Sequence, residues 1–344
     1  SQLDDSYFER AERMCAMAEE NGFSLALVVL WSNYVSGTWA SELDQQRNVF
    51  PDEYLMTYFE QVLKHFDKFH PIYVIGGDTD FQTDKATQTY KRAFEFFRAN
   101  SKETLKTIHI RGRLDEIPDE LIDEMDLYFY QSGHNSSFLD MPYLLAEKFY
   151  GFDPKMPIIN SEPCYEQMGF SRKVYGRFSQ KDVRRAAWQS ILSGACAGIT
   201  YGAHGIWSWH DAAAGFNSEL GEAFDSPMFW QDALYLPGAD DYGYLKQFLE
   251  LTGTTNLIPR NDLLLKGDAA IRVAQTEDES ACFVYIPSNT SIILDTDLSD
   301  FLVTLVNLSD NHFYMIEYEV KDGKTYFSTH TSQEDALIFA KKGK

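Results

Sequence analysis

Two carboxylates in this 344-residue chain stand at the ends of short apolar runs. Asp78 follows Ile72-Tyr73-Val74-Ile75-Gly76-Gly77, and Glu162 follows Met156-Pro157-Ile158-Ile159-Asn160-Ser161, with Pro163 preventing the run from continuing. A continuous apolar run reads as a buried parallel strand, and glycines at its end let the backbone turn and present the next side chain. Just past the other apolar runs stand Trp31, Asn33 and Tyr34, then Asp80, Arg111 and Arg113, Gln131 and His134, Tyr165 and Glu166, and finally His204, Trp207 and Trp209. Two carboxylates among indole and phenol rings are what cleavage of a glycosidic bond requires. One protonates the leaving oxygen, and the other attacks the anomeric carbon or activates water. Aromatic faces suit the C–H faces of sugars, and neutral or basic side chains suit their hydroxyls. The chain has no HxH, HExxH, GxSxG or phosphate loop, so neither a metal nor a nucleotide cofactor is expected.

The candidate substrate-binding residues are therefore Trp31, Tyr34, Asp80, Gln131, His134, Tyr165, His204 and Trp207. Each has a plainer reading beside the chemical one. Asp78 also fits a turn or N-cap aspartate, and the equivalent placement of Glu162 is what favours chemistry. Asp80 is a helix-capping neighbour or a sugar ligand, Glu166 a solvated or supporting acid, and Arg111 an ion-pair partner or a substrate ligand. His204 is expected to hydrogen-bond a substrate rather than hold a metal, with simple burial as the alternative. At least one of Trp31, Trp207 and Trp209 is expected in the core. Tyr165 either orients Glu162 or fills space, and Cys164 has no base partner in the sequence and reads as inert.

The elements that position these residues alternate. Helical periodicity covers residues 6–21, with Ser6 and Glu9 as a capping box and Gly22 as a stop, then 51–68, 84–99, 118–124, 142–149 and 181–195. Between them lie strands near residues 24, 72, 107, 127, 157 and 199. Strands separated by single helices require crossovers and a parallel sheet, with ligands beyond the carboxyl ends of the strands. Six strands fit either an open doubly wound sheet or a (β/α)8 barrel whose first two βα units lie outside this chain. After helices at 228–236 and 240–252 the pattern changes near Pro259. Short alternating runs over 268–342, with a hairpin signal at Asp322-Gly323, predict an all-β sandwich. The expected domains are residues 1–257 and 258–344.

Lys plus Arg number 30 against 52 Asp plus Glu, a net charge of −22. That balance argues against nucleic acid and anionic membrane partners. The four cysteines, Cys15, Cys164, Cys196 and Cys282, are far apart and are expected to be reduced. No apolar run is long enough to span a bilayer and the first residues are not a signal peptide, so a cytoplasmic protein is the expectation.

The phrases Tyr73-Val74-Ile75-Gly76-Gly77-Asp78, Asn160-Ser161-Glu162-Pro163-Cys164-Tyr165-Glu166, Thr200-Tyr201-Gly202-Ala203-His204-Gly205-Ile206-Trp207 and Leu236-Pro237-Gly238-Ala239 resemble the apiosidase-like glycoside hydrolases. The tail from about residue 260 is similar to the collagen-binding-type sandwich that follows that catalytic domain. The resemblance implies a TIM-barrel-type retaining glycosidase with Asp78 as acid/base, Glu162 as nucleophile and a carbohydrate substrate. It also implies that the strand near residue 24 is the third of the barrel. Carboxyl groups ~5 to 5.5 Å apart are expected of a retaining pair. An open barrel would expose strand edges near residues 24 and 199, which a homo-oligomer would cover. The rival reading is a non-catalytic carbohydrate-binding relative.

Overall fold

A computed structural model describes residues 3–43, 48–213, 224–332 and 334–343. Cα packing separates two compact units, residues 1–131 and 132–344. The first opens with α1 (Asp5–Glu20), whose cap is Asp4: its carboxylate accepts from the Ser6 N–H at 3.0 Å and the Ser6 hydroxyl at 2.6 Å. Asp4 thus replaces the expected Ser6/Glu9 box, because a charged acceptor also complements the positive end of the helix dipole. Then follow β1 (Ala26–Trp31), α2 (Trp39–Leu43), α3 (Leu55–Phe66), β2 (Ile72–Gly77), α4 (Asp84–Asn100), β3 (Lys106–Thr107), α5 (Asp119–Ile122) and β4 (Tyr128–Tyr130).

The short α2 lies in what reads from sequence as a polar loop. Strand β1 pairs in parallel with β2, from Ala26 opposite Ile72 to Trp31 opposite Gly77. β2 pairs in parallel with β3, and a parallel bridge between His109 and Phe129 carries the order on to β4. Phe97 of α4 packs on Phe59 of α3 at 5.7 Å and on Tyr73 of β2 at 4.4 Å between ring centroids. Burying each such ring contributes ~1.5–3 kcal/mol, which explains why β2 can be apolar throughout.

The second unit runs through α6 (Met141–Tyr150), β5 (Ile158–Asn160), α7 (Gln180–Ile191), β6 (Gly198–Ile199), α8 (His204–Trp207), α9 (Trp230–Ala233) and α10 (Gly238–Thr252). β5 and β6 pair in parallel. All six expected strand positions are therefore occupied. A capping box between Ser179 and Asp182 starts α7, which ends at Ile191, short of the expected 195. α9 likewise keeps only the middle of the helix expected over 228–236.

The sandwich that follows is antiparallel, as expected. Its strands are β7 (Leu257–Pro259), β8 (Leu264–Lys266), β9 (Arg272–Thr276), β10 (Ala281–Ile286), β11 (Ile292–Leu294), β12 (Phe301–Asn307), β13 (His312–Met315), β14 (Tyr318–Lys321), β15 (Lys324–Phe327) and β16 (Ala336–Lys342). They form a six-stranded sheet, β13-β12-β16-β10-β9-β7, and a four-stranded sheet, β14-β15-β11-β8. Strands β13 and β14 follow each other closely but belong to different sheets, because the chain passes from one sheet to the other between Met315 and Tyr318. Asp322 (φ +53°) and Gly323 (φ +75°) make the expected tight turn between β14 and β15.

One face of the six-stranded sheet packs on α7 and α10 through Trp188, Phe248, Phe283 and Leu337, and the other faces the second sheet through Val284, Leu294, Leu305 and Ile338. Arg184 of α7 bonds Asp241 of α10 at 3.0 Å and Asp335, just before β16, at 2.6 Å. The four cysteines are free. No helix among the described residues is long and apolar enough to cross a membrane.

Candidate active site

In the first unit, β2 delivers Asp78 at φ +48°, a left-handed conformation uncommon outside glycine and concentrated at functional turns. The two preceding glycines therefore do not make the turn. Neither has a positive φ, and a Cβ on Gly77 would lie 2.3 Å from Cε3 of Trp31. Gly77 makes room for that indole, which stacks on His109 at 6.4 Å and remains 42% exposed.

Trp39 braces the turn from α2. Its indole Nε1 donates to the Asp78 carbonyl at 2.7 Å, and its backbone N–H donates to Asp80 Oδ1 at 3.0 Å. The other Asp80 oxygen is ion-paired with Arg111 at 3.2 Å. Asp80 is buried, and its pairing with Arg111 is one of the two readings given for that arginine. Tyr34 is exposed beyond β1. Gln131 is nearly buried after β4, and its Oε1 has no hydrogen-bond partner among the described residues.

In the second unit, β5 delivers Glu162, whose Oε1 lies 2.8 Å from Nε2 of His134. An ionised carboxylate can only accept, so Nε2 carries the proton in this pair. His134 is itself buried, with Tyr165 edge-on at 4.6 Å and Phe224 edge-on at 5.6 Å. Its main-chain oxygen accepts from the Ser171 N–H, and the Gly133 N–H donates to the Glu162 carbonyl. The imidazole is thus fixed by packing on both sides before it meets the carboxylate.

Glu166 is not solvated. Its Oε2 accepts from the Tyr201 hydroxyl at 2.6 Å and the Gly238 N–H at 2.8 Å, and burial pushes its carboxyl above the usual range. A Cβ on Gly238 would lie 2.4 Å from the same oxygen, which explains the glycine of the Leu236-Pro237-Gly238-Ala239 phrase. The backbone of Glu166 bonds Gly202 and His204. The loop after Glu162 is thereby tied to the loop after β6 and to the start of α10. Burial also raises the Cys164 thiol, in keeping with an inert cysteine.

His204, at the start of α8, is fully buried, which is the alternative reading for it, and its backbone N–H donates to the Glu166 carbonyl. Burial, with Arg177 second, lowers its pKa to about 4. The sign of the consequence is fixed by linkage. An unfolded His204 gains its proton near pH 6.5 and the folded one near 4, so the unfolded state binds more protons between these values. Stability should fall as pH drops through that window, by up to ~3 kcal/mol. Glu166 and Asp241, raised by burial, act in the opposite sense. The measurement is therefore comparative: His204→Gln should lose less melting temperature than wild type on acidification, and parallel curves would refute the assignment.

Trp207 and Trp209 are 51% and 63% exposed, and Trp209 stacks on Trp230 at 5.0 Å. None of the three strand-end tryptophans is in the core. They follow strands where the chain turns outward, whereas Trp188, on the inner face of α7, is the buried indole. Trp39, Tyr201 and Trp230 escape sequence reasoning, since each acts through a partner distant in the chain. Only the Tyr201 phrase carries a signal, within the motif around His204.

The apiosidase-like catalytic domain family matches residues 1–256. Among solved structures, a glycoside hydrolase family 5 protein from Bacteroides vulgatus superposes with a TM-score of 0.80 at 20% identity, covering 98% of this chain and 74% of its own. A second glycoside hydrolase superposes with a TM-score of 0.69 at 17% identity, covering 99% of this chain and 90% of its own. No curated relative matches the sequence. The family match defines the class, a glycoside hydrolase. Within that class, the chain belongs to the apiosidase-like family.

Proposed function

We propose that the protein cleaves a glycosidic bond with retention of configuration, Glu162 attacking the anomeric carbon and Asp78 serving as acid, then base. The observation that carries this reading is the 2.8 Å contact between His134 Nε2 and Glu162 Oε1. A nucleophilic carboxylate must stay ionised and aimed, and a buried donor held by its own packing does both. The braced left-handed turn at Asp78 supports the companion role. Trp31, Tyr34, Tyr165 and Trp207 supply ring faces for the sugar, and Gln131 contributes an amide for its hydroxyls.

The chemistry conserves atoms simply. The proton of Asp78 goes to the leaving oxygen as a glycosyl ester forms on Glu162, and water then cleaves that ester while returning a proton to Asp78. A panel of nitrophenyl pentosides and hexosides, with an apioside included, tests the proposal by proton NMR of the first-formed sugar. Retained anomeric configuration is the expected outcome. Inversion would remove the covalent role of Glu162, and glycan binding without any turnover would favour the non-catalytic reading.

A further inference from the structure

At one corner of the sandwich the six-stranded sheet extends beyond the four-stranded one. All four residues of β13 are exposed, whereas the neighbouring β12 buries Val303 and Leu305 between the sheets. The register sets Leu305 opposite Tyr314 and Asn307 opposite His312. Residues directly opposite share a face, so Tyr314 and Asn307 continue the inner face past the edge of its cover. A recess of about 340 Å³ opens there, lined by Asn307, Ser309, Tyr314, Thr331, Ser332 and Glu334.

The recess is built by bonds within the protein. Asn307 Oδ1 accepts from the hydroxyls of Ser309 and Ser332, each at 3.0 Å, tying one wall to the other. Asn289 Nδ2 donates to the carbonyls of His330 and Ser332 while its Oδ1 accepts from the His330 N–H, fixing the segment that carries Thr331. Glu334 is held by Arg184 at 3.2 Å. On the opposite face of β13, Phe313 stacks on Phe248 of α10 at 6.3 Å, which anchors the strand that presents Tyr314.

One aromatic ring, three hydroxyls, an amide and a carboxylate match a sugar: the ring receives the C–H face, and the polar groups exchange hydrogen bonds with hydroxyls. The lining offers no cation to an anionic ligand, and the chain carries a net charge of −22. A peptide strand would add to the free edge of β13 rather than enter a recess on its face. We propose that this recess binds one or two residues of a neutral glycan, a carbohydrate site on the sandwich that does not depend on the roles of Asp78 and Glu162.

Affinity gel electrophoresis of the full chain through xylan, mixed-linkage β-glucan, galactomannan and arabinogalactan tests it, in a Glu162→Gln background so that no polymer is consumed. At least one polysaccharide should retard the protein. Tyr314→Ala should weaken that retardation about fivefold or more, the order of one stacked ring, and Tyr314→Phe should stay within about twofold. Ser309→Val, a second exposed position, should weaken it by a smaller factor. With Glu162 intact, Tyr314→Ala should leave hydrolysis of nitrophenyl glycosides unchanged. Retardation by none of the four polymers, or equal retardation of wild type and Tyr314→Ala, would overturn the proposal.

Discussion

Glu162→Gln should lower kcat on any turned-over glycoside by on the order of 10³-fold or more while the protein stays folded. The amide is isosteric and can still accept from His134 Nε2, at 2.8 Å in the native pair, so stability should change by no more than about 1 kcal/mol. What the amide lacks is the negative charge that makes a carboxylate oxygen nucleophilic enough to form the glycosyl ester, and removal of a nucleophile typically costs several orders of magnitude. Asp78→Asn should cost roughly 10² to 10⁴-fold, the range for a lost proton donor. Its cost should be smallest with good leaving groups, which need little protonation.

Azide separates the two roles. In Glu162→Ala the anion can take the place of the nucleophile and give a glycosyl azide of inverted configuration. In Asp78→Ala it intercepts the glycosyl-enzyme and gives the retained product. A Glu162→Gln variant within tenfold of wild type would remove this residue from the chemistry.

The second large effect is on stability. Arg184→Met should destabilise the protein by about 3–5 kcal/mol, because it removes the cation from a buried cluster and leaves its anions uncompensated. Arg184 is 3% exposed, Asp335 0% and Asp241 7%. Asp335 accepts two bonds from the guanidinium, at 2.6 and 3.0 Å, and Asp241 accepts one at 3.0 Å. After the substitution, among the described residues, the Asp335 carboxylate would retain the Tyr285 hydroxyl at 3.1 Å and the Asp241 carboxylate the Gln180 amide at 3.0 Å.

The cluster ties α7 to α10 and to the segment before β16, so its loss should loosen the seam between helices and sandwich. Urea denaturation gives the number. The pairing with Asp335→Asn should be strongly non-additive, since either substitution breaks the same bonds. A loss below 1 kcal/mol for Arg184→Met would show that the ion cluster contributes little.

Much of the site is legible in the sequence because local pattern governs it. Apolar runs ending in Gly-Gly-Asp and in Asn-Ser-Glu-Pro become strand ends that deliver Asp78 and Glu162, and six strands appear where six are expected. The parallel order follows from the helices between them. Several side-chain environments are not legible, for a common reason. The burial of His204 and Glu166, the inward turn of Asp80 and the exposure of Trp31, Trp207 and Trp209 all depend on what a distant segment places beside them. Strands β7 and β8 lie before the runs expected from residue 268, and each is only three residues long.

By itself the sequence determined the alternation of elements, the change to an antiparallel sandwich near Pro259 and the two carboxylates, since these rest on periodicity and on residue types at fixed local offsets. Only the tertiary structure decided that His134, 28 residues before Glu162, is its partner. It alone decided that Trp39 braces the Asp78 turn and that Glu166 closes on Tyr201 and Gly238. Those contacts join residues far apart in the chain. Their free energy comes from desolvated hydrogen bonds that exist only once the strands and loops have packed, so no local pattern encodes them.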